Sequence, residues 1–435
     1  MWRFIVFLMI LPIFSDAQSI ATKADELLKA YTQQEKFSGN VLIAQNGKII
    51  FQKAYGFADR DHKILNTIQT EFRAGSLTKM FTSTAVFQLQ EKGLLSLADP
   101  VSKYLPSFKN GDHIKISDLL SHTSGIKGSP AQGAPSLKSY VKAFKSDSLA
   151  GNPGERFEYN NFNYILLSYI IQKVTGANYT EWISQHVLMP AGMNHSGLDF
   201  PGRKSAKEAL GYELDPSNGT WRHQVDQDVA MAAGAGALYT TIGDLYKWSR
   251  SISEKKLMSG VDYKMAQTPV KGNYGMGWMI ENKEGLTWVG HTGSITGFVA
   301  WFAYYPKQDM TIIFLSNYKD INANQLIHDL TAVAFNKPYE LPVQRKVVQL
   351  STEELQKYAG VYQMENGFTI TVSVENGKLF ALPQGDPDKT EFTPIGNNKF
   401  FLKGIETEIE FKEEKGKVAY LLIQMHGLQK LVRVG

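Results

Sequence analysis

The apolar positions of this chain change their spacing several times, and each change marks a different element. Residues 4–14 are almost wholly apolar, behind the single charge of Arg3 and ahead of Ser15-Asp16-Ala17. Such a run is too short to span a bilayer, and Ser15 and Ala17 fit a secretory leader cut after residue 17. An uncleaved N-terminal anchor is the other reading of the same run. A helical stretch follows, and then residues 41–44 and Lys48–Tyr55 flank Asn46-Gly47. That pair predicts a β-hairpin, because both turn positions tolerate positive φ. From about residue 76 to 269 the pattern is mainly helical with long loops. Phe298–Tyr305 and Met310–Ser316 then give two β-rich runs joined by Pro306-Lys307-Gln308-Asp309, so the sheet resumes late in the chain. A helix near residues 324–335 precedes Lys337-Pro338-Tyr339-Glu340-Leu341-Pro342, whose prolines favour an extended linker over residues 337–349. Residues 350–435 alternate short strand-like runs with Asn366-Gly367, Asn376-Gly377 and Asn397-Asn398, which predicts a small antiparallel barrel or sandwich.

Length agrees with this division, since 435 residues correspond to two or three domains at about 100–200 residues each. The 46 basic and 42 acidic side chains leave a net charge of only +4 with no basic run, which argues against nucleic acid as a partner. No segment after the leader approaches the ~20 apolar residues of a membrane span, so stable membrane insertion after leader removal is not expected. The expected location is outside the cytoplasm, in the periplasm. Absence of cysteine excludes disulfides, thiolate metal sites and a cysteine nucleophile. Phosphate-loop, H-E-x-x-H, G-x-S-x-G and strand-following G-x-G-x-x-G patterns are all missing, and the nine histidines show no i, i+4 pair for a metal on one helix. Neither a metal nor an organic cofactor is called for.

Oxygen and nitrogen chemistry remains. Gly75-Ser76-Leu77-Thr78-Lys79 opens an apolar helical segment that ends at Gly93. Residues three apart share a helical face, so Ser76 Oγ and the Lys79 amine can meet near a helix N-terminus. A lysine desolvated on a buried helix is pushed toward neutrality and can take the proton of a serine. Spacing alone is weak, because Ser124/Lys127, Ser139/Lys142, Ser253/Lys256 and Ser316/Lys319 match S-x-x-K too. An N-cap serine with a solvent-reaching lysine is the other reading of Ser76 and Lys79. A second stretch, Pro153 to Asn161, leads into an apolar helix over residues 164–174. Tyr159 there can act as acid or base if a cation such as Lys79 lowers its pKa, or it can be a packing tyrosine with Asn161 as a helix cap. The third, Gly290-His291-Thr292-Gly293-Ser294, is a glycine-rich strand along which a substrate backbone could pair and find an N–H for an oxyanion. Its histidine could equally be structural.

Together and in this order, these stretches resemble the serine β-lactamase and penicillin-binding-protein superfamily, above all its class C β-lactamase-like branch with D-aminopeptidase and carboxylesterase relatives. The segments Ile116 to Ile126 (I-S-D-L-L-S-H-T-S-G-I), Ala232 to Thr241 (A-A-G-A-G-A-L-Y-T-T) and Tyr274-Gly275-Met276-Gly277-Trp278 strengthen it. The resemblance covers nearly the whole mature chain. It implies an α+β fold: an antiparallel sheet flanked by helices with an all-helical subdomain over residues 18–336, followed by a lipocalin-like barrel over residues 350–435.

By the same resemblance Ser76 is the nucleophile, Lys79 shuttles its proton, and Tyr159 is the general base that also protonates the leaving group. The N–H groups of Ser76 and Ser294 form the oxyanion hole, while Asn161, His291, Thr292 and Gly293 contact substrate. The expected function is a periplasmic hydrolase cleaving an amide or ester through an acyl-enzyme, with a D-amino-acid peptide, a β-lactam-like molecule or a short acyl ester as substrate. A catalytically silent protein using the same cleft to recognise cell-wall peptides is the alternative. One departure stands out, because His291 occupies the place of a lysine in β-lactamases. A histidine titrating near 6.5 would hold a substrate carboxylate only as pH falls toward 6.

Overall fold

The computed structural model describes residues 13–129, 136–144, 149–199, 203, 205–215, 220–224, 232–342, 347–402, 407–424 and 428–435. Most of the expected leader, residues 1–12, lies outside them. Helix α1 (Ile13–Gln33) runs through the expected cut. The side chains it is seen to bury, Ile20, Ala24, Leu27, Leu28 and Tyr31, all come after it. Among the described residues no helix is long and apolar enough to cross a membrane.

Asn46 and Gly47 take φ of 51° and 69° and turn strand β1 (Gly39–Gln45) back into β2 (Lys48–Tyr55). The sheet they begin is completed by strands far along the chain: β5 (Met279–Lys283), β6 (Leu286–Ile295), β7 (Phe298–Tyr305) and β8 (Met310–Ser316). Its order is β5-β6-β7-β8-β1-β2, antiparallel throughout, with Gly39 in register with Ser316. Every residue of β7 and β8 is buried. Unbroken apolar runs follow from a sheet covered on both faces. Val41, Ile43, Trp301 and Phe314 pack with α1 and with helix α5 (Ala323–Ala334). Leu42, Phe302, Ile313 and Leu315 face the larger core.

That core belongs to the helical segment between β2 and β5. Helix α2 (Thr78–Glu91) is almost wholly buried. It packs against α3 (Asn161–Thr175) and α4 (Ile242–Ser253), with Phe81 stacked on Trp248 at 4.1 Å between ring centres. A small second sheet joins β3 (Phe72–Gly75), just ahead of the region expected to be mainly helical, to β4 (Leu238–Thr240) and Gly197–Leu198 inside it. Its strands are two to four residues long, too short for any period to show in sequence.

The chain divides into two compact units between Pro342 and Val343. In the second, eight antiparallel strands from Gly360–Gln363 to Leu428–Arg433 close into a barrel, the first pairing with the last through Tyr362 and Arg433. Asn376-Gly377 and Asn397-Asn398 turn with positive φ, as their composition predicts. Tyr362, Phe392, Phe400, Phe411, Leu421 and Leu431 fill the interior. Closure decides between barrel and sandwich.

Phe81→Ala would open a void beneath Trp248 on the helix that follows Ser76. We expect a loss of about 3–5 kcal/mol in the stability of the first unit, read by chemical denaturation.

Candidate active site

Gly75 ends β3 with φ of 51°, and a Cβ on it would lie 2.9 Å from the backbone nitrogen of Ser294. Gly293 is as tightly placed, since its Cβ would meet Ala74 O at 2.0 Å. Two glycines thus let β6 pass directly over the turn that carries Ser76. The helix proper starts at Thr78, with Ser76 in the turn before it, and Lys79 N–H donates to Ser76 O at 3.1 Å. Among the described residues the Ser76 N–H has no acceptor.

Lys79 is fully buried. Its Nζ lies 3.0 Å from Ser76 Oγ, 2.8 Å from Asn161 Oδ1 and 2.7 Å from Ala235 O. The rings of Tyr159 and Tyr164 wall it in at 4.8 and 5.5 Å. No carboxylate reaches it among the described residues. Burial alone therefore holds its pKa well below the ordinary lysine value. A neutral amine has two N–H groups and one lone pair. Ala235 O and Asn161 Oδ1 can only accept, so both N–H groups point to them and the lone pair is left for the proton of Ser76. The other S-x-x-K pairs do not assemble: Ser124 bonds to Asn163, Ser139 to Ser136, Ser253 to Arg250 O and Ser316 to Ser38 O.

Tyr159 O–H donates to Ser76 Oγ at 2.8 Å. Its ring is 41% exposed, while its hydroxyl end is desolvated, which pushes the phenol up to about 12. A cation was expected to lower it. Burial also holds the lysine that would supply the charge well below its ordinary value, and the desolvation of the phenol itself keeps Tyr159 a protonated acid. Asn160, not Asn161, caps α3, accepting from Phe162 N–H at 2.9 Å. That leaves the Asn161 carbonyl for Lys79.

His291 is buried, and its two nitrogens are committed. Thr292 O can only accept, so Nδ1, 2.5 Å away, carries the hydrogen, and Nε2 accepts from Tyr274 O–H at 3.0 Å. Burial pushes it down to about 3. This corrects the expectation of a cation emerging near pH 6, for the ring is neutral throughout that range. Thr292 faces the opposite side of the strand, with Oγ1 toward Met279 Sδ, and lines a cavity of about 490 Å³ with Trp288, Tyr305 and Thr331.

Three contributors carried no individual role in the sequence reading: Ala235 O, Tyr274 and His122. Each lies in a segment that carried the family resemblance, which was the available signal. His122, with φ of 56°, brackets the tyrosine. Its carbonyl accepts from Glu158 N–H at 2.8 Å, its Nδ1 accepts from Asn160 N–H at 3.2 Å, and its ring lies 4.3 Å from that of Tyr159. Burial holds it neutral as well. Among the described residues no group of three or more histidines, aspartates or glutamates could hold a metal ion.

Comparison with known proteins agrees with this geometry. The family model described as Beta-lactamase matches residues 24–334, and a domain family of unknown function (DUF3471) matches residues 344–431. The chain is 36% identical over 268 residues to the Bacillus subtilis protein named penicillin-binding protein PbpX, covering 61% of this chain and 68% of that one. It superposes on a penicillin-binding protein of Bacillus halodurans with a TM-score of 0.63 at 28% identity, over 71% of this chain and 98% of that one. A D-amino acid amidase of Ochrobactrum anthropi shares the fold, with a TM-score of 0.64 at 19% identity over 74% and 99% of the two chains.

Two outcomes follow from this geometry. An unfolded histidine titrates near 6.5 and His291 near 3, so as pH falls the unfolded chain takes the proton first. Stability supplied by the neutral ring is complete above about pH 6.5 and drains away between about 6.5 and 3. His291→Gln should therefore lose less stability than the parent between pH 7 and 5, by up to about 2 kcal/mol at ~1.4 kcal/mol per pH unit, measured by denaturation at each pH. Gly293→Ala should force β6 away from Ala74 and lower kcat about 10²-fold with the fold kept, measured by steady-state kinetics beside circular dichroism.

Proposed function

The chain belongs to the Beta-lactamase family of serine hydrolases, and from that premise we propose that it cleaves an amide or ester through an acyl-enzyme at Ser76. The observation that carries this reading is the convergence on Ser76 Oγ of Lys79 Nζ, whose pKa burial lowers, and of the Tyr159 hydroxyl, whose pKa burial raises. Lys79 Nζ takes the Ser76 proton as Oγ attacks the substrate carbonyl. The negative charge that develops on the carbonyl oxygen is received by the N–H groups of Ser76 and Ser294, an assignment supported by the close passage of Ser294 over Gly75. Tyr159 O–H gives its proton to the departing nitrogen or oxygen and is reprotonated from Lys79. Water then attacks the ester by the same route in reverse. Here Tyr159 is the acid and Lys79 the base, a division that the raised phenol and the lowered amine both support.

D-amino-acid amides and peptides, short acyl esters and β-lactams are the proposed substrate classes, the first supported by the amidase that shares the fold. The leader-like pattern of residues 1–17 supports export to the periplasm.

The test incubates the full chain and its Ser76→Ala variant with a nitrophenyl butyrate ester, D-phenylalanine amide and benzylpenicillin. Intact-protein and product masses are recorded together. A Ser76-dependent adduct or product on at least one substrate is expected, and a fully active Ser76→Ala chain would overturn the assignment. Tyr159→Phe should slow acylation by about two to four orders of magnitude. A near-normal rate would remove Tyr159 from proton transfer.

A further inference from the structure

The strand beside Ser76 carries no charge of its own. His291 is neutral, and Lys79 is sealed beneath the serine as an amine. A cation nevertheless reaches this strand from two strands away, since Ser294, Val299 and Ser316 lie in one row across β6, β7 and β8. Lys319 follows β8, and its Nζ donates to Ser294 Oγ. Ser294 is exposed, and its backbone lies against Gly75, the residue before the nucleophile.

The support beneath this lysine is rigid. Asn317 Nδ2 donates to Phe57 O at 2.9 Å and Leu210 O at 2.8 Å. The Tyr318 ring stacks on Trp221 at 4.0 Å, and its hydroxyl accepts from Arg60 Nη1 at 2.6 Å. Lys319 N–H itself donates to Tyr212 O at 2.9 Å. Nearby carboxylates are occupied elsewhere, since Glu213 accepts from Gly297 N–H at 3.1 Å and Asp320 from Leu214 N–H at 2.7 Å. Among the described residues Lys319 has no ion-pair partner, and its one polar side-chain contact is a neutral hydroxyl. An ammonium has three donors, so two remain for a ligand.

We propose that Lys319 is the cation that selects substrates bearing a carboxylate close to the scissile bond, anchoring that group beside Ser294. The position of this site rests on the hydrolase reading above, but its ligand preference can be measured without turnover. Lys319 also appears in the sequence as half of a nonproductive S-x-x-K match. Its serine turns back to Ser38 O, leaving the lysine for the cleft.

The experiment uses the full chain with Ser76→Ala, so that nothing is hydrolysed, and titrates N-acetyl-D-alanine and its primary amide by calorimetry. The carboxylate should bind about tenfold or more tightly than the amide, as expected for a hydrogen bond to a charged group. Adding Lys319→Gln should erase the preference, and Lys319→Arg should retain it. Equal binding of the two ligands before Lys319 is changed, a preference that survives Lys319→Gln, or no binding of either ligand would each overturn the proposal. So would an equal loss for both ligands in Lys319→Gln, which would mark a structural or oxyanion role. Failure of the hydrolase reading shows separately, as turnover independent of Ser76.

Discussion

An amine buried without a counter-ion is the constraint on which the rest of the site depends. Lys79 has no exposed surface, and its neighbours are a carbonyl, an amide oxygen, a hydroxyl and two aromatic faces. A carboxylate in that pocket would stabilise the ammonium and remove the base. The fold supplies two neutral acceptors instead, from the start of α3 and the short helix Ala233–Gly236, while the turn before α2 brings the hydroxyl that meets the lone pair. Misplacing either acceptor would leave a buried N–H unmatched, which costs about 1–3 kcal/mol. The same arrangement that fixes the proton acceptor therefore also fixes how α2, α3 and Ala233–Gly236 meet.

Neutrality spreads outward from there. Burial keeps His122 and His291 uncharged, and each ring is committed to a single tautomer by the backbone group it meets. The proposed proton transfer is thus confined to Ser76, Lys79 and Tyr159. Fixed charge stands outside this ring, at the end of β8, where it does not raise the cost of protonating the amine. The proposed chemistry and the proposed charge recognition thus fall to residues from different parts of the sequence.

Much of this was legible beforehand. The hairpin at Asn46-Gly47, the late apolar strands and the turn-rich C-terminal region each followed from period and turn chemistry, because those signals are local. Ser76, Lys79 and Tyr159 stood out once their segments were taken together, and the fold brings the three side chains into contact. Three things stayed hidden. The direction of the Tyr159 shift depended on how far its hydroxyl is desolvated, which only burial in the fold decides. The neutrality of His291 depended on Tyr274, seventeen positions earlier, and on the dryness around both rings. The convergence of Lys319 on Ser294 needed the register of β6, β7 and β8, which no composition reports.

The pairing of Gly39 with Ser316 also bears on how the molecule comes into being. Strands β1 and β2 find their neighbour only after nearly the whole first unit exists, and closing so long a loop costs about 5 kcal/mol in chain entropy on a logarithmic scale. Until then the hairpin shows a bare edge, and the face destined for Phe314 and Trp301 stays wet. Local helix formation around Ser76 can come early, but the strand that completes the oxyanion pocket belongs to the long-range part of the assembly. Activity should therefore be among the last properties a refolding chain acquires, arriving with sheet closure rather than with helix content.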